Sequence, residues 1–487
     1  MTVHTKTSSL SKEKACREVR LHFFAIFEET NFKTANMRKI LFAAVICLLA
    51  FSSCVKKVPA SVPAVIKNGM IELKAPERAA GQQSALGLKC DPIETVRIAF
   101  VGVGGRGTSA VSRYTQIEGV KIMAFCDLKQ ERVDICNDIL KKAGLPEADT
   151  YVGPEAYKEL CDRDDIDLVY IATDWVVHVP ISLYALEHGH HVACEVPMAM
   201  TIDDCWKLVD ACERTRKHCM MLENCCYDFF EMSALNMAQQ GLFGEVYHVE
   251  GAYIHLLSPG WDKSETWRLD YNMENRGDNY PTHGLGPIAQ ALNIHRGDKM
   301  DYLVAMDTPS YNGKVSAKMF RDKDYCKDGD HTISLIQTEK KKLIEVQHNV
   351  YAYRPYSRMY QLTGTEGFAN KYPTQGISVK GINGHSYVSK EVMDSLLTAY
   401  RPEFAKAIEE KAKAVGGHGG MDYIMDYRLI YCLRNGLPLD QDVYDAAEWS
   451  AVQELSRISL ENNSMPVRFP DFTRGDWNKV DGFHYAM

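Results

Sequence analysis

The sequence predicts an α/β protein: an N-terminal doubly wound Rossmann domain followed by a C-terminal α+β domain with an open, mainly antiparallel sheet. Three observations predict it. A glycine-rich turn separates a short β-branched run from a helical stretch within "VRIAFVGVGGRGTSAVSRY", Val96–Tyr114. Strand-like and helix-like segments then alternate as far as His218, the pattern of a parallel sheet with crossover helices. Beyond Glu223 the apolar runs are joined by turns instead, as in antiparallel strands.

The whole chain sets the limits. Its 487 residues, 46% hydrophobic and 25% charged, are enough for two or three folding units. Against 64 Asp and Glu stand 56 Lys and Arg, a formal charge of -8, and no basic run is long enough to neutralise a phosphate backbone. Nucleic acid is therefore not expected as a partner.

Residues 1–54 read as a leader. From Met37, "MRK" gives a positive start, "ILFAAVICLLAF" an apolar stretch too short to span comfortably, and "SSC" small residues before Cys54. "FSSC" resembles the lipobox of bacterial lipoproteins, which implies lipidation at Cys54, a start at Met37, and an exported protein touching the membrane only through its lipid. Residues 55–92, rich in Ala, Pro and Gly, predict a linker. Twelve cysteines remain in the body. Cys205, Cys212 and Cys219 recur at helical spacing, and with no CxxC pair or histidine to complete a zinc set they predict buried thiols and no metal.

The body opens with a strand, Val96–Val101, followed by Gly102-x-Gly104-x-x-Gly107 and a helix. Glycines there allow a tight turn and close approach of a pyrophosphate, and the helix N-terminus favours the anion. A second strand, "VKIMAFCD", ends on Asp127, twenty residues after Gly107. A carboxylate at that distance accepts ribose hydroxyls and repels a 2'-phosphate, so the expected cofactor is NAD rather than NADP.

The alternation continues. "YKELCDRDDIDLVYIAT" reads helix, turn and buried strand; "HVPISLYALEHG" reads as a helix; "HHVACE" is the next strand; and "TIDDCWKLVDACERTRKH" is a helix with Thr201 and Asp204 at capping spacing. Ligands of such sheets lie beyond the carboxyl ends of the strands, which places Asp174, Trp175, His178, Glu195 and Asn224 near the cofactor. This accounts for a first Rossmann domain over 93–222. A second domain over 223–487 is expected to use strands in "GEVYHVEGAYIHL", "YLVAMDTP", "HTISLIQTEKKKLIEVQHNVYAYR" and "RMYQLTGTEGFANKY". Helices over Arg401–Glu409 and Val443–Glu461 are expected to pack back on the first.

"GVGGRG", "LVYIATDWVVHVPISLYALEHGHHVACEVPMAM" and "MMLENCCYDFFEMSALNMAQQGLFGEV" resemble the Gfo/Idh/MocA oxidoreductase superfamily. Its usual motif at the fifth strand is Glu-Lys-Pro, and here Val196 replaces the lysine that serves proton transfer in a simple alcohol dehydrogenase. That valine, with "GGRG", "NYPTHGLGPIAQALNIHRGD" and "GHGGMDY", is similar to glycoside hydrolase family 109, the NAD-dependent α-N-acetylgalactosaminidases. The resemblance runs from Val96 to the C-terminus. It implies a glycan substrate with terminal N-acetylgalactosamine and a redox-neutral oxidation, elimination, addition and reduction on one sugar ring; a homo-oligomer is compatible with it.

Carried over residue by residue, the resemblance surrounds the cofactor with Gly102, Gly104, Arg106, Gly107, Asp127, Trp175, Val176, Val177, His178, Glu195, Val196 and Asn224. It puts Tyr253, Arg268, Tyr280, Pro281, Thr282, His283 and Tyr356 at the sugar, and names His283, Glu195 and Tyr227 as catalytic. "NYPTHG" is the compact proton-transfer set, since imidazole exchanges protons near neutral pH. Alone, His283 reads equally as a hydrogen-bonded turn residue, Tyr253 and Tyr356 as core aromatics and Arg268 as a surface ion pair. The sequence leaves three function classes: the NAD-dependent glycosidase, an NAD-dependent sugar dehydrogenase, and a non-catalytic sugar- or nucleotide-binding lipoprotein. Val196 separates the first two.

Overall fold

The computed structural model describes residues 60–257 and 266–487; the leader and Cys54 lie outside the described residues. The chain builds two sheets. The first has six strands, all parallel, in the order Asp149–Val152, Val120–Asp127, Val96–Val101, Leu168–Ile171, His191–Cys194, Cys219–Met221. Numbered along the chain, this is the 3-2-1-4-5-6 order of a dinucleotide-binding sheet, with its switch point between Val96–Val101 and Leu168–Ile171. The central strands Leu168–Ile171 and His191–Cys194 are buried along their whole length, which is why they read as continuous apolar runs. Helix Ile202–Thr215 starts at Thr201, whose hydroxyl accepts the Asp204 N–H at 3.1 Å. Cys205 and Cys212 lie buried in this helix; Cys219 is on the next strand, also buried.

The second sheet has ten strands and is antiparallel except at two pairs. Its centre comprises Met300–Asp307, Thr332–Thr338, Leu343–Asn349 and Val246–Ile254. Helix Thr282–Ala291 packs on strand Val246–Ile254. Gly284, Gly286 and Pro287 disguise that helix in the sequence, and its glycines have a packing reason. A Cβ on Gly284 would lie 2.5 Å from the Ala252 nitrogen.

Residues 60–92 are not the linker that their composition predicts. Strands Ala64–Lys67 and Met70–Leu73 form a hairpin at the edge of the ten-stranded sheet. Its turn is Asn68-Gly69, with φ of 52° and 78°, the pair a two-residue hairpin prefers. Ser61 donates to Glu454 through its backbone N–H and its hydroxyl, at 2.7 and 2.6 Å. Arg78 binds Glu213 and Asp476. This arm is held by specific ion pairs and a strand edge, neither of which shows in composition.

The C-terminal helix Val443–Glu461 packs back on Ile202–Thr215, as expected: Glu454 accepts the Ile202 N–H at 2.6 Å, and the Cys205 thiol reaches the Ala447 carbonyl. The helix is docked a second time by His295 and Arg296. His295 Nδ1 lies 2.7 Å from Glu448, its Nε2 is 3.4 Å from Asp442, and Arg296 grips Asp445 at 3.0 and 2.7 Å. Burial and the neighbouring Arg296 oppose a charge on His295, but Glu448, Asp445 and Asp442 outweigh them and its pKa is pushed up to about 10.

The stability this imidazolium contributes is fully present below the ordinary value of 6.5 and is lost as pH rises through about 10. His295→Gln is expected to lower the melting temperature and to flatten its decline between those limits. A variant profile parallel to the parent's would show that His295 carries no charge in the folded protein.

Candidate active site

The glycines of the first turn divide the work. Gly102 has a φ of 83°, and a Cβ there would lie 2.6 Å from Thr173 Cγ2 and 2.8 Å from the Ala172 carbonyl carbon. A Cβ on Gly107 would approach the Gly102 oxygen to 2.1 Å. Both glycines are needed for packing the turn against the sheet. Gly104 meets nothing within 4 Å, so it leaves the backbone approachable where helix Gly105–Tyr114 presents its first N–H groups. Asp127 closes the cradle, its carboxylate accepting the N–H groups of Val103 at 2.8 Å and Lys129 at 3.1 Å. Trp175, Val176 and Val177 form the first turn of helix Trp175–Glu187; the two valines are exposed. These residues fit a dinucleotide, with a glycine turn for the pyrophosphate and a fixed carboxylate for the ribose.

Next to the turn lies a charged cluster. Arg106 donates from Nε to Glu195 at 2.6 Å and from a terminal nitrogen to Asp422 at 2.7 Å. Tyr170 donates to the same Glu195 oxygen at 2.9 Å. The Asn224 amide donates to the other oxygen of Asp422 at 2.5 Å, and His418 Nδ1 is 2.9 Å from the oxygen that Arg106 binds. Burial alone would raise Asp422, but His418, Arg106 and Arg113 together hold its carboxyl well below the usual carboxylate range. Val196 follows Glu195 with its side chain buried, and the Val196–Pro197 peptide is cis. No ammonium stands at this strand end among the described residues.

The third group is an aromatic wall. Trp175 stacks on Tyr280, with centroids 5.4 Å apart and planes at 25°, and Trp267 and Tyr271 meet Trp175 edge-on. The Arg268 guanidinium lies over Trp175, Trp267 and Tyr280 at 5.1 to 5.3 Å. Tyr253 packs against Tyr280 at 4.7 Å and His283 at 5.4 Å, and its hydroxyl is 3.0 Å from His255 Nδ1. Burial pushes the Tyr280 hydroxyl well above its ordinary range, so it is a donor at neutral pH. Pro281 caps helix Thr282–Ala291, which carries buried Thr282 and then His283. His283 Nδ1 lies 2.6 Å from Glu223 Oε1. Tyr356, half exposed, meets His255 edge-on at 5.2 Å.

Two predicted residues are committed to other partners. Tyr227 is fully buried and its hydroxyl donates to Asp440 at 3.3 Å, an aspartate that Arg428 grips with two bonds. Its hydroxyl is committed to that ion pair, and the catalytic role expected of Tyr227 is not what the structure builds. His178 is also buried; its Nδ1 is 2.9 Å from the Pro197 carbonyl oxygen and its Nε2 3.0 Å from that of Thr173. It braces the two strand-end loops that carry Thr173 and Pro197. Asp422, His418, Glu223 and His255 are the residues that site reasoning missed. Asp422 and His418 lie within "GHGGMDY" and Glu223 is the neighbour of Asn224, so their motifs were visible while their roles needed the third dimension.

Fold and site together define a nicotinamide-dependent protein of two sheets, with a part-buried Glu223–His283 pair next to the aromatic wall. Comparisons with known proteins agree. Residues 96–223 match the oxidoreductase family with NAD-binding Rossmann fold, and residues 227–479 match the C-terminal domain of glycosyl hydrolase 109. The chain is 54% identical over 438 residues to glycosyl hydrolase family 109 protein 1 of Bacteroides thetaiotaomicron, covering 86% of this chain and 94% of the relative. It is 54% identical over 442 residues to the family 109 protein of Porphyromonas gingivalis, covering 87% and 94%. Among solved structures it resembles levoglucosan dehydrogenase in complex with NADH and levoglucosan (TM-score 0.59, 15% identity, 77% of this chain and 100% of that one). It also resembles scyllo-inositol dehydrogenase of Lactobacillus casei with bound NAD(H) and scyllo-inositol (TM-score 0.56, 16% identity, 77% and 99%). These two likenesses show the shared fold. The chain belongs to glycosyl hydrolase family 109, and NAD is its cofactor.

The glycine roles can be separated by experiment. Gly104→Ala is expected to cost at most about 1 kcal/mol of stability, as for other helix N-caps, yet to reduce retained NAD. Gly107→Ala, with its overlap at 2.1 Å, is expected to destabilise even the cofactor-free protein by about 3 kcal/mol or more. Parental NAD retention in Gly104→Ala would remove the pyrophosphate from this turn.

Proposed function

We propose that this glycoside hydrolase releases terminal α-N-acetylgalactosamine from a glycan by a redox-neutral route. The observation that carries the reading is Val196: the strand end beside Glu195 offers a buried hydrocarbon where the superfamily's dehydrogenases carry a lysine. NAD, held by the glycine turn and Asp127, would supply reversible hydride transfer at the sugar ring, so that one cofactor would serve repeated turnovers. His283 supplies the proton exchange at the C3 hydroxyl, with Nδ1 occupied by Glu223 and Nε2 left for the substrate. Tyr280, neutral through burial, donates a hydrogen bond to the enolate oxygen once the ring carbonyl has acidified the C2 proton. Arg268 and Tyr253 flank it and orient the sugar. The identity of the sugar rests on the family resemblance alone.

A sugar dehydrogenase would accumulate NADH, and a binding protein would turn nothing over. Incubating the purified protein, without added NAD, with nitrophenyl glycosides should release phenolate with no rise in NADH. Substrate deuterated at C2 should lose its label to solvent during cleavage, because elimination breaks that C–H bond whereas displacement by paired carboxylates does not. Full retention of deuterium with normal cleavage would refute the route. His283→Ala should keep its fold and NAD while turnover falls by roughly two to four orders of magnitude.

We propose in addition that the enzyme is exported and anchored through lipid on Cys54. This rests on the leader pattern, and Cys54→Ala should shift the protein from the membrane fraction to the soluble one. An unchanged distribution would count against the anchor.

A further inference from the structure

Glu223 follows the last parallel strand, Cys219–Met221, and is fully buried. A carboxylate in such a place is costly unless it is paired. Its Oε1 accepts the Cys225 N–H at 3.1 Å and lies 2.6 Å from His283 Nδ1. Burial would raise the Glu223 carboxyl, yet His283 and these hydrogen bonds hold it below its ordinary range. The helix carrying His283 is built to come this close, because a Cβ on Gly286 would lie 2.9 Å from Glu223 Cγ. Among the described residues no hydrogen bond involves His283 Nε2, and the side chain is 15% exposed.

We propose that Glu223 is a positioning residue for His283: it receives the Nδ1–H, leaves Nε2 as the exchanging atom, and offsets the positive charge when the ring is protonated. The inference rests on the reading of His283 as the acid–base group. In the step it supports, the substrate O–H bond breaks, an N–H bond forms at Nε2, the ring becomes an imidazolium, and Glu223 stays a carboxylate throughout. Cys225 has its thiol within 4.8 Å of a Glu223 oxygen and a His283 ring nitrogen, a grouping that also invites a zinc ion. A bound zinc would itself take the thiol proton, so activity in EDTA decides between a metal centre and the hydrogen-bonded pair.

The test uses full-length parent protein, Glu223→Gln, Glu223→Asp and His283→Ala, each with its bound NAD quantified and assayed on a nitrophenyl glycoside that the parent cleaves. Glu223→Gln should lower kcat by roughly two to four orders of magnitude, with KM changed less than about threefold and NAD content unchanged. Glu223→Asp should recover about tenfold or more of that loss. In the parent, nitrogen NMR of labelled histidine should show a ring protonated at Nδ1, its signal missing from His283→Ala, and this holds as a test even if Glu223→Gln does not fold. Parental kcat in Glu223→Gln, an Nε2-protonated ring in the parent, or activity lost in EDTA and restored by zinc would each overturn the inference. Parental activity in His283→Ala would instead overturn the acid–base reading on which it rests.

Discussion

The two oxygens of Asp422 collect Arg106 from the dinucleotide turn, Asn224 from the end of the parallel sheet and His418 from a C-terminal loop. Through Arg106 the same network reaches Glu195. Each of these groups is tied to a different strand end or loop, and the buried Asp422 carboxylate could not be left unpaired there. Geometry at the cofactor is therefore fixed by neutralisation. Helix Gly105–Tyr114 cannot shift away from Glu195 and Asp422 without leaving the Arg106 guanidinium uncompensated.

The sugar side depends on contact more than charge. Trp175 begins a Rossmann helix and Tyr280 precedes a helix on the other sheet, yet their rings stack at 5.4 Å. The helix after Tyr280 packs closely: Gly284 lets its backbone meet that of Ala252, and Gly286 leaves room for the side chains of Glu223 and Trp449. The motif "NYPTHGLGP" thus combines two demands in nine residues: the polar side chains of Tyr280 and His283, and missing side chains at Gly284 and Gly286. Its continuation, through His295 and Arg296, docks the long C-terminal helix.

How much of this could be read beforehand varied with the physics involved. The parallel sheet was legible because its buried strands and glycine turn are local patterns, and the helix Val443–Glu461 because its apolar pattern is unbroken. The hairpin at Asn68-Gly69 was hidden by proline and alanine around it, although its turn carries a strong local signal. Helix Thr282–Ala291 was hidden for the opposite reason, since its residues contradict helix propensity and are held by tertiary packing. At the site, Glu195, Asn224, Tyr280 and His283 were recognisable as polar residues at strand ends or in a compact motif. Glu223 and Asp422 were not, because what defines them is the partner across the fold, and a one-dimensional string does not state who faces whom. Tyr227 shows the converse: a tyrosine in the right motif whose hydroxyl an ion pair had already claimed.

The cysteines carry a consequence of a different kind. All twelve in the described residues are free thiols, eleven of them buried, and they are distributed over both halves, from Cys126 at the second strand of the parallel sheet to Cys432 near the C-terminus. Burial raises the thiols of Cys126, Cys136, Cys161, Cys194, Cys205, Cys212, Cys225, Cys226 and Cys432 away from the reactive thiolate. None of these nine can be alkylated until the element holding it opens. The molecule thus carries its own set of clocks: timed exposure to a thiol reagent, read by peptide mass, would rank the opening of the strands and helices that hold these cysteines without a single introduced label.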